Sequence, residues 1–188
     1  MDTITTERLH LRPWSESDVD FLVQMNTDPE VVEYLPSPIS EKESQQFVRR
    51  IQAHFTEYGY GLYALERRED AAFLGYTGLH WALFESPFTP ALEVGWRLAR
   101  YAWGRGYATE AARACMTHAF VEKGISEIVS FTVPANTRSA AVMKRLGMTR
   151  NPAEDFVHPR LGPDHPLGQH ILYRVHRSEW DGLRANTD

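Results

Sequence analysis

The chain has 188 residues, with 20 Lys and Arg against 25 Asp and Glu, a net charge of −5 with histidine neutral. That length accommodates one domain with a real core, and 43% hydrophobic against 24% charged residues excludes a disordered or collagen-like chain. The mildly acidic balance, without a long basic run, argues against a nucleic-acid partner. The single cysteine, Cys115, rules out an intrachain disulfide framework or a multi-cysteine zinc site. No stretch approaches the roughly 18 apolar residues that span a bilayer, and residues 1–11 lack the basic-then-apolar pattern of a signal peptide. The expectation is a cytoplasmic, membrane-free protein, with one domain spanning residues 1–188.

In chain order, Leu9 and Leu11 alternate with His10 and Arg12, an edge-strand pattern closed by Pro13. Ser15 with Asp18 reads as a capping box opening a helix to about Met25, and Asp28-Pro29 starts a short helical turn stopped by Pro36 and Pro38. Ser40 and Glu43 repeat the capping box. Phe47, Ile51 and Phe55 then recur every four residues, so an amphipathic helix is expected, ending near Gly59 and Gly61. The period next shortens to strand-like segments at 62–66 and 73–79, joined by a charged turn. An aromatic, Pro-rich loop at 81–90 leads to a third strand at 92–98.

Gly104-Arg105-Gly106 follows and opens a helix to about Lys123, whose apolar face carries Ala108, Ala111, Ala112, Cys115, Ala119 and Phe120. A strand at 128–133 precedes a short helix headed by Asn136 and Ser139, and a strand at 170–175 comes last. The stretch 151–168 reads as a surface excursion. This order predicts an α/β or α+β fold around one mixed central sheet with flanking helices.

The strongest local signal is the strand, Gly-rich turn and helix around residue 105. Two glycines let backbone approach a ligand, and a helix start offers free N–H groups and the positive end of its dipole, which suits a phosphate. A dinucleotide fingerprint would need glycine where Thr109 stands, and the Gly-Lys-Ser/Thr of an ATPase phosphate loop occurs nowhere.

Trp103-Gly104-Arg105-Gly106-Tyr107-Ala108-Thr109, together with Asn136-Thr137-Arg138-Ser139 and Leu146-Gly147-Met148 thirty and more residues on, resembles the GCN5-related N-acetyltransferases. Leu9-His10-Leu11-Arg12-Pro13 and Asp28-Pro29-Glu30-Val31 extend the resemblance to the Rim-type branch, named for enzymes acetylating ribosomal proteins. The first motif position is Trp103 where the family has Arg or Gln.

The resemblance implies a sheet splayed at one end around acetyl-CoA, the co-substrate, with the pyrophosphate on residues 103–109 and the pantetheine along 94–98. The residues assigned to it are Val94, Trp96, Leu98, Trp103, Gly104, Arg105, Gly106, Tyr107, Ala108, Thr109, Asn136 and Ser139. It implies direct attack by a primary amine, on a small molecule or a peptide or protein N-terminus, with no acyl-enzyme. A backbone N–H at Val94 or nearby would face the acetyl carbonyl. Glu93 is the expected base and Ser139 the expected acid, because Met143 occupies the position where many relatives place a tyrosine. Tyr34, Trp81, Phe84 and Phe88 lie on segments implied to flank the acceptor. A homodimer fits the branch. The other reading is an acyl-CoA-binding sensor or structural module without catalysis. Cys115 is expected to be core, and His158, His165 and His170 lack the compact spacing of metal ligands.

Overall fold

The computed structural model describes residues 3–180. In chain order the elements are β1 (Ile4–Thr5), β2 (Leu9–Arg12), α1 (Ser17–Met25), α2 (Glu41–Tyr58), β3 (Leu62–Arg67), β4 (Phe73–Ala82), β5 (Ala91–Leu98), α3 (Tyr107–Glu122), β6 (Glu127–Thr132), α4 (Thr137–Arg145), β7 (Thr149–Arg150), β8 (Phe156–Val157) and β9 (Gln169–His176). The fold is α+β, with antiparallel and parallel strand pairs flanked by helices. The chain forms two compact units that interleave in sequence: the segment up to His80 with Gly95–Cys115, and Trp81–Val94 with the chain from Met116 onward. β4, β5 and α3 each run through both.

In the first unit β1, β2, β3 and β4 pair antiparallel in chain order. β2 is therefore an interior strand, contrary to the edge position its sequence suggests. It pairs with β3 at Leu11↔Leu65 and with β1 at Ile4↔Leu11, and β1 is only two residues long, too short to show a period. Gly75 of β4 sits against the end of β5: a Cβ there would lie 2.3 Å from the Arg97 carbonyl oxygen. The Thr77 hydroxyl donates to the Gly95 carbonyl at 2.9 Å, so β4 and the last residues of β5 are locked together.

α2 has the complete capping box: the Glu43 N–H donates to the Ser40 hydroxyl and the Ser40 N–H to the Glu43 carboxylate. Gly59 ends the helix in the left-handed conformation. α1 has only half a box. The Ser15 N–H donates to Asp18 at 2.7 Å, but the Ser15 hydroxyl meets Ser17 instead. Asp18 keeps the bond from the Ser15 N–H while Arg12 grips both its oxygens at 2.7 and 2.9 Å, and the Asp18 N–H donates to the Ser15 carbonyl at 3.2 Å rather than to the hydroxyl. The expected helical turn after Asp28 is a hydrogen-bonded turn, with the Val31 and Val32 N–H groups both donating to the Asp28 carbonyl. Trp14 anchors this unit's core, donating from its indole to the Leu62 carbonyl while its ring meets Phe47, Phe73 and Tyr76.

In the second unit β5 pairs parallel with β6 at Glu93↔Val129, and β6 pairs antiparallel with β9 from Glu127↔His176 to Thr132↔Ile171. β7 and β8 both add antiparallel to β9. The stretch 151–168 is thus more than a surface excursion: it contains β8, and its Phe156 is buried. Asn136, not Ser139, caps α4, accepting from the Ser139 N–H at 3.1 Å. Ile128, Met143, Leu146, Val175 and Trp180 fill this unit's core, with Phe120 and Trp180 ring centroids 5.7 Å apart.

Candidate active site

The residues expected to carry the chemistry fall in two constellations, one in each unit. In the first, the chain leaves β5 through a short 3-10 turn, Arg100–Ala102, and the Trp103 indole donates back to the Leu98 carbonyl at 2.8 Å. Gly104 and Gly106 then take φ of +71 and +80, the left-handed region that glycine enters without a Cβ clash. A Cβ on Gly104 would meet nothing within 4 Å, so its outer side is open. α3 begins at Tyr107, and its first-turn N–H groups have no acceptor within the helix.

Arg8, which the sequence does not single out, braces this turn. Its guanidinium donates to the Arg105 carbonyl at 2.9 Å and to Glu110 at 2.7 Å, and lies 4.7 Å above the Tyr107 ring. The Tyr107 side chain is therefore buried beneath Arg8, while Arg105 extends its side chain to solvent. Glu110 accepts from the Thr6 hydroxyl and the Arg8 N–H as well. Burial pushes the Glu110 carboxyl up, but these hydrogen bonds and the Arg8 charge outweigh it and hold the group below its ordinary value. The separation of 97 positions between Arg8 and Arg105 explains why no spacing rule reveals the brace.

In the second unit, period-two alternation and the strand registers gather residues on one face of the sheet. Glu93 is beside Val129, so Ala91 and Glu93 share a face with Val129 and Phe131. Phe131 is opposite Leu172, which adds Leu172 and His170. Phe156 is opposite His170, which adds Phe156 and His158. The result is a buried patch of Ala91, Val129, Phe156 and Leu172, covered by the partly exposed rings of Phe84, Phe88 and Phe131.

His158 and His170 join this patch with ring centroids 5.3 Å apart. Burial lowers the pKa of both, while the Glu93 charge pulls the other way on each. Their tautomers follow from geometry. His170 Nδ1 faces the Gly168 carbonyl at 3.1 Å, so Nδ1 carries the hydrogen, and His158 Nδ1 accepts from the Arg160 N–H at 3.3 Å, so Nε2 carries it.

Of the expected acceptor-side residues, Phe84 and Phe88 belong to this patch, their centroids 5.9 Å apart. Trp81 is half-buried near the end of β4, and Tyr34 lies in the first unit. Phe131, Phe156, His158 and His170 are the members that sequence reasoning did not place here. Phe131 and His170 lie in expected strands, but only the strand registers show which residues they meet.

Val94 and Leu98 are buried, Trp96 half-buried, and α3 exposes part of Ala108 and Thr109. Ser139 is half-buried in the first turn of α4. Met143 is buried at 1% exposure, so this position is used for packing. Cys115 is wholly buried, which drives its thiol pKa far up. Among the described residues, no group of three His, Cys, Asp or Glu is placed to hold a metal ion, and no helix is long and apolar enough to cross a membrane.

A family model described as an acetyltransferase (GNAT) domain matches residues 8–149. The FsC-acetyl coenzyme A-N(2)-transacetylase of Aspergillus fumigatus is 29% identical over 190 aligned positions, covering 95% of this chain and 77% of the relative. An acetyltransferase structure from Agrobacterium tumefaciens superposes with a TM-score of 0.76 at 29% identity, covering 94% and 95% of the two chains. RimL, a ribosomal L7/L12 alpha-N-protein acetyltransferase in complex with coenzyme A, shares the fold with a TM-score of 0.74 at 21% identity, covering 93% and 98%.

Proposed function

The chain belongs to the GNAT acetyltransferase family, and from that premise we propose how its residues divide the transfer of an acetyl group from acetyl-CoA to a primary amine. The observation that carries this reading is the turn at Gly104 and Gly106, two left-handed glycines delivering the chain into the start of α3.

The turn suits the coenzyme A pyrophosphate. Its open outer side leaves room for an anion, first-turn N–H groups supply donors, and the helix dipole adds positive potential. Residues 103–109 hold the pyrophosphate, and backbone groups along 94–98 hold the pantetheine. When bound, acetyl-CoA supplies a thioester as acyl donor. A backbone N–H at Val94 or nearby donates to the acetyl carbonyl oxygen. Preorganised donors of this kind are worth about 2.7–4 kcal/mol in other acyl transfers.

Glu93 takes the amine proton, directly or through a water, because only the neutral amine attacks. Asn136 fixes the head of α4, and Ser139 in its first turn relays a proton to the leaving sulfur. No acyl-enzyme is required. Cys115, the only thiol, is sealed in the core and held protonated. The acceptor is an amine-bearing small molecule or a peptide or protein N-terminus, and the charge of −5 favours a cationic one. We read residues 1–188 as one catalytic domain because β4, β5 and α3 each thread both compact units. Dependence on acetyl-CoA favours the cytoplasm, and a homodimer is the proposed assembly.

The second reading, an acyl-CoA sensor without chemistry, is favoured by one observation: Met143, at the position where the family resemblance implies an acid, is a core residue. Coenzyme A release over a panel of amines and N-terminal peptides separates the two. Turnover on any of them establishes the transferase, whereas tight acetyl-CoA binding without turnover establishes the sensor. Ser139→Ala should lower turnover with acetyl-CoA affinity largely kept; wild-type turnover would remove Ser139 from the mechanism.

A further inference from the structure

We propose that the second unit carries a recognition site for primary amines borne on an aromatic body, with the ring seated on Phe84, Phe88 and Phe131 and the ammonium facing Glu93. This deepens the function proposed above and rests on Glu93 as the group that receives the amine.

Three features of the patch support it. First, Phe84, Phe88 and Phe131 pack on a buried floor yet keep part of their surface open. Their mutual geometry is edge-on, with Phe84–Phe131 at 5.7 Å and 87° and Phe88–Phe131 at 5.9 Å and 59°. Open faces and edges of this kind favour a further ring.

Second, the strand registers put a carboxylate on the same sheet face as this aromatic wall. Glu93 projects beside Val129 and two positions along from Ala91, both of which lie under the rings. An aromatic surface with an adjacent carboxylate is complementary to an ammonium through both Coulomb and cation–π attraction.

Third, the other charged and titratable groups on this face do not oppose that charge. Arg174, opposite Val129, is ion-paired with Glu127 and Glu154. His158 and His170 are held neutral at pH 7 by burial, so neither imidazole repels the ammonium. Arg160, the cation that His158 senses, has its side chain in solvent, where screening weakens it.

The occupant follows from these properties. An aliphatic polyamine would leave the rings without a partner, and a Ser- or Ala-initiated peptide would present too little apolar surface. A 2-phenylethylamine-like molecule matches both the wall and the charge.

The test has two arms. Thiol release from acetyl-CoA is followed with 2-phenylethylamine, hexylamine, spermidine, and Ser- and Ala-initiated tetrapeptides. Separately, 2-phenylethylamine is titrated by calorimetry into the protein saturated with coenzyme A. Burying a phenyl ring predicts kcat/KM for 2-phenylethylamine about tenfold or more above each other acceptor. Phe88→Ala and Phe131→Ala should lose about tenfold on 2-phenylethylamine through KM, with spermidine nearly unchanged. Phe88→Leu and Phe131→Leu, which preserve apolar volume and guard against misfolding, should lose an intermediate amount with an unaltered thermal melt. Turnover that favours spermidine or peptides, or Phe variants that depress every acceptor equally, overturns the proposal. Calorimetric binding of 2-phenylethylamine without turnover of any amine keeps the site but overturns acetyl transfer. Turnover of amines without such binding overturns the site alone.

Discussion

Glu93 of β5 stands beside Val129 of β6 in a parallel register, and that pairing puts a carboxylate on the face that carries Phe131 and His170. Without it, Glu93 would be one more acid at the start of a strand. With it, the acid borders a half-open aromatic patch whose imidazoles both sense its charge.

If Glu93 accepts the amine proton, Glu93→Gln should lower turnover by about 10²-fold, a typical worth for a positioned base. The loss should be greatest at low pH, where the amine is protonated, and shrink as pH rises toward the amine pKa. A pH–rate profile of the variant checks this, and one parallel to wild type would reassign the base.

The turn glycines and the sheet glycine should fail in different ways. Gly104→Ala pays only the left-handed backbone strain, about 1–2 kcal/mol, since no atom lies within 4 Å of the new Cβ. Its main effect should be a raised KM for acetyl-CoA. Gly75→Ala instead drives a Cβ to 2.3 Å from the Arg97 carbonyl, which must move. It should cost about 3 kcal/mol or more, the upper end for overpacking. Thermal melts with and without coenzyme A separate the two cases.

Asp18 is 1% exposed and gripped by Arg12, which also reaches Glu66 at 2.7 Å. Burial raises the Asp18 pKa, but the hydrogen bonds from Arg12 and Ser15 and the Arg12 charge overcome it, so the net shift is downward. The folded state therefore binds this proton less readily than the unfolded chain, whose Asp titrates near pH 4. The stabilisation is complete above that pH and is lost as pH falls through the lower folded value. Asp18→Ala should cost about 3 kcal/mol, near the lower bound for breaking a buried pair because Glu66 still holds Arg12. The gap between variant and wild type should narrow in melts recorded from pH 7 down to pH 3.

Asn136 caps α4 through the Ser139 N–H. Asn136→Ala should cost about 1 kcal/mol, whereas Asn136→Asp or Asn136→Ser should keep most of the stability. Denaturant unfolding measures this directly. Turnover that tracks stability across the three variants would confine Asn136 to orienting the helix.

The local elements were largely legible. The Ser40–Glu43 capping box, the four-residue spacing through Phe55 and the stop at Gly59 define α2 in both sequence and structure. The Gly104–Gly106 turn was legible for the same reason: left-handed backbone demands glycine, and glycine is visible in the sequence. The capping box at Ser15 forms only in half because the Ser15 hydroxyl meets Ser17 and the Asp18 N–H takes the Ser15 carbonyl, a choice among neighbouring acceptors that residue spacing does not show. β2 was misread as an edge because β1, two residues long, carries no pattern.

By itself, then, the sequence determined the helix limits, the phosphate-suited turn and the paired motifs of the family, all properties of contiguous residues with fixed backbone demands. Tertiary structure decided what lies beside them. Arg8 reaches a turn 97 residues away, and two parallel or antiparallel registers bring Glu93, Phe131 and His170 onto one face. A register slip of one residue would send each of these side chains to the opposite face, and alternation along a single strand cannot show which residue its neighbour will meet.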